Sequence, residues 1–163
     1  MKTYTVHLIR HAMTKENTEG KYIGQTDVEP TKEGLAQIKN LMDENEGYPY
    51  ADVVISSPLK RCTETAKLIY PKKEPVIMQD LIEYDFGDFE GMTADELKDL
   101  DTFKDWISGA HPEEPVPFGE SQKEFNDRIC KCFIRIIEGI IKSGTRSTAI
   151  ITHGGVIMSL MTA

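Results

Sequence analysis

Cysteine is scarce in this chain, and the three cysteines form no pattern typical of a disulfide framework or a zinc site. Cys62, Cys130 and Cys132 make an odd number, and none belongs to a Cys-x-x-Cys pair. Cys130 and Cys132 are two residues apart in a predicted helix, so their side chains point to different sides. We therefore expect reduced thiols, no metal site and a cytoplasmic protein.

The chain also lacks long apolar runs and an excess of positive charge. No apolar stretch approaches the roughly 20 residues of a membrane-spanning helix, and residues 1–7 lack the apolar core and cleavage site of a signal peptide. There are 19 Lys and Arg residues against 27 Asp and Glu residues, a formal charge of −8. Nucleic acids and anionic lipid surfaces bind basic faces, so neither is an expected partner. A small basic pocket for one phosphate ester remains compatible with this charge.

The 163 residues are enough for a single domain, and 39% hydrophobic with 28% charged residues is typical of a globular one. Short runs rich in β-branched residues alternate with amphipathic helices. The four predicted strands cover residues 3–9, 52–56, 76–78 and 148–152. This alternation predicts an α/β fold, a three-layer α/β/α sandwich with a mostly parallel central sheet.

Local signals indicate where several helices begin. Thr31 is a predicted helix cap, and Ser57-Pro58 has the pattern of a cap followed by proline at the first helical position. Ser121 and Glu124 have the spacing of a capping box, and Gly154-Gly155 opens the last helix. The polar stretch 14–30 and the acidic, aromatic stretch 81–91 are predicted loops.

Basic side chains follow three of the strands, where the chain leaves the sheet. Arg10-His11 ends the first strand, His153 follows the fourth, and Arg61 lies near the start of the helix after the second. Alone, each has an ordinary explanation: a packed histidine or a solvated helix arginine. Together they predict one crevice at the carboxyl ends of the strands, with two histidines, two arginines and two helix N-termini around a phosphate. This hypothesis requires the rings of His11 and His153 to lie close together and both to reach solvent.

Five motifs, spread over nearly the whole chain, resemble those of the histidine phosphatase (phosphoglycerate mutase-like) superfamily and occur in the same order. They are Leu8-Ile9-Arg10-His11 with Thr14 and Asn17; Gly24-Gln25-Thr26-Asp27 with Thr31 and Gly34; Ser56-Ser57-Pro58-Leu59-x-Arg61 with Thr65-Ala66; Glu83-Tyr84-Asp85-Phe86-Gly87-x-Phe89-Glu90-Gly91; and Thr152-His153-Gly154-Gly155-Val156. Within the family, the short path from Gly91 to the capping-box helix resembles alpha-ribazole phosphatase and broad-specificity phosphatases.

The resemblance implies a phosphoric monoester hydrolase that acts on small cytoplasmic phosphate esters without cofactor or metal. His11 is expected to attack phosphorus and form a phosphohistidine, and Glu83 to protonate the leaving alkoxide. A protonated His153 is expected to act with Arg10 and Arg61 on the transferred group. The expected substrate-binding residues are Arg10, Asn17, Gln25, Thr26, Arg61, His153 and Gly154. The other carboxylates near Glu83, Asp85, Asp88 and Glu90, are expected to be solvated charges.

The sequence departs from the family pattern in three places. Ala12 replaces a glycine and would be strained if its backbone needed a positive φ, and Met13 replaces a polar residue. The chain ends at Ala163, whereas the family continues with a further helix and strand. We expect one domain over residues 1–163 that lacks these elements, either a truncated product or a short variant with an exposed sheet edge.

Two alternative functions stay open. The first is a phosphoglycerate mutase, although mutases of the family carry a longer insertion after the position of Gly91. The second belongs to another class and is a non-catalytic module that binds a phosphorylated ligand. Ala12, Met13 and the early end of the chain keep this alternative open. The sequence carries no signal for the oligomeric state or the natural substrate.

Overall fold

The computed structural model describes residues 2–44 and 47–162. Its sheet has four strands: β1 Thr5–Arg10, β2 Val53–Ser56, β3 Val76–Ile77 and β4 Ser147–Thr152. They pair in parallel, in the order β1-β4-β2-β3. The predicted parallel sheet is confirmed, and the last strand of the chain lies between the first two.

Seven helices are present in the described residues. They are α1 Lys15–Thr18, α2 Lys32–Glu44, α3 Lys60–Ile69, α4 Ala94–Leu97, α5 Asp101–Ser108, α6 Gln122–Ser143 and α7 Gly154–Thr162. Two short 3₁₀ turns follow β3: Gln79–Leu81 ends where the predicted loop 81–91 begins, and Gly87–Phe89 lies inside that loop. No helix in this part of the chain combines the length and the hydropathy that crossing a bilayer requires.

Helices cover both faces of the sheet, which confirms the three-layer sandwich. On one face, Ile38 of α2 and Ile69 of α3 pack with sheet residues such as Val54. On the other, Ile129 of α6 and Val156 of α7 pack with Ile55 and Ile150. Burial of these side chains on each face is the main favourable term that holds the layers together.

The helix starts follow the sequence signals with one exception. At α6, the Ser121 hydroxyl accepts from the Glu124 N–H and the Glu124 carboxylate accepts from the Ser121 N–H, so the capping box is confirmed. The predicted start of α3 at Ser57-Pro58 is wrong, because the helix begins at Lys60 after an extended Leu59. The Ser57 hydroxyl lies 2.7 Å from His153 Nε2, so it bonds a ring across the sheet edge and caps no helix.

The strand register decides which residues meet at the carboxyl edge of the sheet. Arg10 pairs with Thr152 across β1 and β4, so His11 and His153 leave the sheet side by side. Across β2 and β4, Ser56 pairs with Ile151. The first turn of α3, which carries Arg61, therefore starts beside the same point.

Candidate active site

His11 continues β1 for one more hydrogen bond before the chain turns away. Its N–H donates to the Thr152 carbonyl over 3.0 Å, and its ring is 8% exposed. The ring Nδ1 lies 2.7 Å from the carbonyl oxygen of Ala12. A carbonyl only accepts, so Nδ1 carries the proton and Nε2 keeps its lone pair in the neutral ring.

The surroundings of His11 favour this neutral form. The pKa of His11 is lowered to about 4, mainly by burial and also by the positive charges of Arg61 and Arg10, whereas the hydrogen bond to Ala12 acts in the opposite direction. The ring is therefore neutral at neutral pH, and its Nε2 has a free lone pair.

His153 lies behind His11 and does not open onto solvent. The two ring centroids are 5.3 Å apart with a 60° angle between the planes, so the predicted proximity is observed. The expected solvent access is not, because His153 is 0% exposed. Its Nε2 lies 2.7 Å from the Ser57 hydroxyl and 3.5 Å from Cys62 Sγ. Burial and the charge of Arg61 push the pKa of His153 well below its ordinary value, so the ring is neutral in this state. The expected protonated form is that of the phosphate complex and stays a prediction.

Arg61 is also turned inward. It is 1% exposed, and its guanidinium donates to the carbonyl oxygens of Thr26 over 2.9 Å and of Gly24 over 2.5 Å. In this state Arg61 therefore holds the loop at residues 24–26 and does not line a cavity.

Glu90 holds the same loop from its other side, and sequence reasoning missed this role. Its carboxylate accepts from the N–H groups of Gly24 and Gln25 and from the Thr26 hydroxyl, each over 2.9 Å. The expectation of a solvated charge at Glu90 is thus wrong. The sequence feature that could have indicated this role is the position of Glu90 in the fourth family motif. A Cβ on Gly24 would lie 1.8 Å from the Tyr84 carbonyl oxygen, so this close approach requires glycine.

Glu83 is 7% exposed and lies at the N-terminus of α7. Its two carboxyl oxygens accept from the Tyr84 and Gly155 N–H groups, each over 2.9 Å. Burial raises the pKa of Glu83, while these bonds and the charges of Arg61 and Arg10 oppose the rise. The predicted free N–H groups at the start of α7 are thus partly occupied by a carboxylate. Gly155 leaves it room, since a Cβ there would lie 2.4 Å from Glu83 Oε1.

A cavity of about 270 Å³ lies at the carboxyl end of the sheet, in front of His11. It is lined by Arg10, His11, Asn17, Lys21, Tyr22, Ile23, Glu83, Phe86, Gly154, Gly155 and Met158. Two cations, a neutral imidazole and a buried carboxyl thus share a cavity with an aromatic wall. Within the described residues, no group of three or more His, Cys, Asp or Glu gathers to hold a metal ion.

The cavity collects some of the predicted site residues and omits others. Arg10, His11, Asn17, Glu83 and Gly154 line it, whereas Arg61, His153, Gln25 and Thr26 do not. The Gln25 amide donates to the Glu83 carbonyl oxygen over 3.4 Å, so Gln25 contacts the Glu83 backbone and not the cavity. Lys21 and Met158 are lining residues that sequence reasoning missed, since side chains of this kind carry no motif. Phe86 also lines the cavity and belongs to the fourth motif, but no site role was predicted for it.

The departure at Ala12 is accommodated without strain. Among the described residues, Phe118 is the one non-glycine with a positive φ. Ala12 is 2% exposed, and its N–H donates to the Thr65 hydroxyl over 2.9 Å. Alanine therefore fits the turn that follows His11.

A parallel α/β sheet that presents a neutral, tautomer-fixed histidine, two cations and a buried carboxyl to one cavity has the arrangement of a phosphoryl-transfer enzyme. Comparison with known proteins agrees. Residues 6–163 match the sequence profile of the histidine phosphatase superfamily (branch 1), and the chain belongs to that superfamily.

Individual relatives and solved structures support the assignment. The chain is 28% identical over 159 residues to the uncharacterized phosphatase PhoE of Bacillus subtilis, covering 96% of this chain and 75% of that protein. It is 30% identical over 156 residues to an acid phosphatase of Mycobacterium tuberculosis, covering 94% and 72%. The crystal structure of the alpha-ribazole phosphatase from Shigella flexneri superposes with a TM-score of 0.79 at 27% identity, covering 96% of this chain and 77% of that chain.

Proposed function

We propose that this protein is a phosphatase that hydrolyses small cytoplasmic phosphate monoesters through a phosphohistidine on His11. The observation that carries the proposal is the state of His11, whose Nδ1 proton is fixed by the Ala12 carbonyl and whose pKa is about 4. Membership of the superfamily and the phosphatase names of the relatives support the same activity.

The proposed reaction has two displacements. His11 Nε2 forms a bond to phosphorus while the ester P–O bond breaks, and Glu83 gives its proton to the leaving alkoxide. Glu83, now a carboxylate, takes a proton from water as that water attacks phosphorus, and the bond between phosphorus and His11 Nε2 breaks. Inorganic phosphate leaves, and both residues return to their first state. Side chains supply the positive charge, so the proposed mechanism uses no cofactor.

In this proposal the phosphate is bound from two sides. Arg10, the Asn17 amide and the Gly154 N–H bind it from the cavity. Arg61 and His153 are buried and do not line the cavity, so their proposed contacts with the phosphate require a rearrangement. In that rearrangement they exchange their present partners for a dianion, which forms stronger hydrogen bonds. The dianion also raises the pKa of His153 towards its charged form. Gln25 and Thr26 contribute through the loop that Arg61 holds.

The decisive experiment is to trap the intermediate. A quenched reaction with p-nitrophenyl phosphate in EDTA is expected to show base-stable, acid-labile phosphate on His11. His11→Ala is expected to lose the label and the turnover, and His111→Ala, at an exposed position, to keep both. Turnover without a labelled His11 would overturn covalent catalysis, and bound phosphate without turnover would identify a binding module.

A second assay separates phosphatase from mutase and looks for the substrate. With phosphoglycerate, a phosphatase releases inorganic phosphate, whereas a mutase yields the isomer. Phosphate release from a panel of metabolite phosphates then ranks the substrates. The likeness to alpha-ribazole phosphatase makes alpha-ribazole 5′-phosphate the first member of that panel.

A further inference from the structure

The segment that carries Glu83, residues 80–85, has little regular secondary structure of its own. It follows β3 and contains only the end of the 3₁₀ turn Gln79–Leu81. Buried backbone groups without a ladder partner need bonds from side chains, or they lose free energy. The position of the Glu83 carboxyl therefore depends on whichever side chains hold this backbone.

Arg128 on α6 supplies three of those bonds, more than any other side chain. Its Nη1 donates to the carbonyl oxygens of Asp80 and Ile82, each over 2.9 Å. Its Nη2 donates to the carbonyl oxygen of Glu83 itself over 3.3 Å. One guanidinium thus holds three carbonyl groups, including that of the proposed acid.

Glu120 fixes the plane of that guanidinium. It accepts from Arg128 Nη2 over 2.6 Å and from Nε over 3.4 Å, and its Oε1 also accepts from the Asp85 N–H over 2.9 Å. The side chains of Arg128 and Glu120 are only 20% and 16% exposed, so the pair is shielded from water and salt. The two residues hold the segment at both of its ends.

We propose that Arg128 is a positioning residue that sets the place of the Glu83 carboxyl in the active site, an inference that rests on the proposed phosphatase function. Both groups belong to Glu83: Arg128 donates to its backbone carbonyl oxygen, and the Gly155 N–H donates to its carboxyl oxygen. Lysine cannot replace Arg128, because its three N–H donors share one nitrogen. A single nitrogen cannot reach three carbonyl oxygens and both oxygens of the Glu120 carboxylate.

The expected signature is a change in leaving-group dependence. An alkyl phosphate needs a proton on its leaving oxygen, whereas nitrophenolate leaves without one. In Arg128→Lys, kcat for an alkyl phosphate is expected to fall by about tenfold or more, and kcat for p-nitrophenyl phosphate by no more than about threefold, with little change in KM. Glu83→Gln provides the reference pattern for a missing acid.

Two further variants separate positioning from general stability. Arg135 lies on the same helix as Arg128 and forms an ion pair with the Asp80 carboxylate, but it bonds none of the three carbonyl groups. Arg135→Met removes only that ion pair. We expect it to keep the wild-type ratio of alkyl to nitrophenyl turnover. Should Arg128→Lys fold poorly, Arg128→Met with Glu120→Gln removes both charges at once and leaves neither buried alone; the same selective loss is expected.

Amide hydrogen exchange gives a readout that does not depend on activity. The Gly155 N–H, which donates to Glu83, is expected to exchange faster in Arg128→Lys and unchanged in Arg135→Met. Equal losses on both esters, or unchanged exchange at Gly155 in Arg128→Lys, would overturn the positioning role. A wild-type protein that hydrolyses no ester would instead overturn the proposed function, while exchange at Gly155 would still test the positioning.

Discussion

At the scale of single residues, one backbone carbonyl gives the two nitrogens of the His11 ring different protonation states. Ala12 accepts from Nδ1, and the burial of the ring disfavours a second proton. A weakly basic imidazole is also a weaker nucleophile, so the site exchanges some intrinsic reactivity for a high fraction of the reactive form. The nearby arginines act in the same direction, since each disfavours a charged His11.

An NMR titration of the His11 ring in the free protein tests this state. We expect a midpoint near pH 4, because burial, Arg61 and Arg10 all disfavour the imidazolium. Neutral His11 is the form above the midpoint, so the nucleophile is not lost as the pH falls from 7 towards 5. A midpoint near the ordinary value of about 6.5 would contradict the environment described here.

Sequence reasoning predicted which residues come to the sheet edge, but not which way they face. Arg10, His11 and His153 were placed correctly because strand ends of a parallel sheet converge. That Arg61 and His153 are buried depends on the carbonyls of residues 24–26 and on the Ser57 hydroxyl. Those partners are 35 to 96 residues away, so no local pattern predicts them.

At the scale of elements, long periodic segments were predictable and short ones were not. The α6 helix carries an apolar stripe and a capping box over 22 residues, so pattern and cap agree. The α4 helix has four residues, and its Thr93–Glu96 capping box went unnoticed for want of a long stripe. The α1 helix is equally short, and its Thr14–Asn17 cap lies in a predicted loop.

Two glycines, one inside α6 and one at its C-terminal cap, make a matched pair for a stability measurement. Gly139 is exposed inside the helix, with nothing within 4 Å of an added Cβ, whereas Gly144 ends the helix at a φ of 76°. Gly139→Ala is expected to stabilise the protein by about 0.5–1 kcal/mol, because alanine loses less backbone entropy on folding. Gly144→Ala is expected to destabilise it by about 1 kcal/mol, because a side chain strains a left-handed cap.

Urea unfolding at neutral pH measures both changes through the midpoint and the slope. The control is that neither variant changes turnover of p-nitrophenyl phosphate at saturation, since both glycines lie away from the cavity lining. A destabilised Gly139→Ala would show that this helix position is not the open site described here.

At the scale of the whole molecule, the buried histidines make stability depend on pH. The pKa of His11 is about 4 in the folded protein and about 6.5 in the unfolded chain. Between these values the unfolded chain binds a proton that the folded protein does not, so stability falls as the pH falls. His153 acts in the same direction. Glu83, with its raised pKa, acts in the opposite direction above its ordinary value.

Replacing His11 should remove its share of this dependence. From pH 7 to 4.5, a shift of this size accounts for about 2.5 kcal/mol of lost stability. We therefore expect the free energy of unfolding of His11→Asn to drop by about 2.5 kcal/mol less than that of the wild type over the same interval. Urea titrations at the two pH values measure it, with His111→Asn as the exposed control. Parallel losses in wild type and His11→Asn would contradict a buried neutral His11.

The place of β4 in the sheet has a consequence for how the protein is made. β1 and β2 have no ladder with each other, and each pairs with β4, which is synthesised last of the four. On the ribosome, β1 must therefore stay unpaired until residues 147–152 have emerged, and folding by small local steps cannot close the sheet. The insertion that completes the core is the same event that brings His153 beside His11. A nascent chain of this protein thus completes its sheet and its histidine pair in one step.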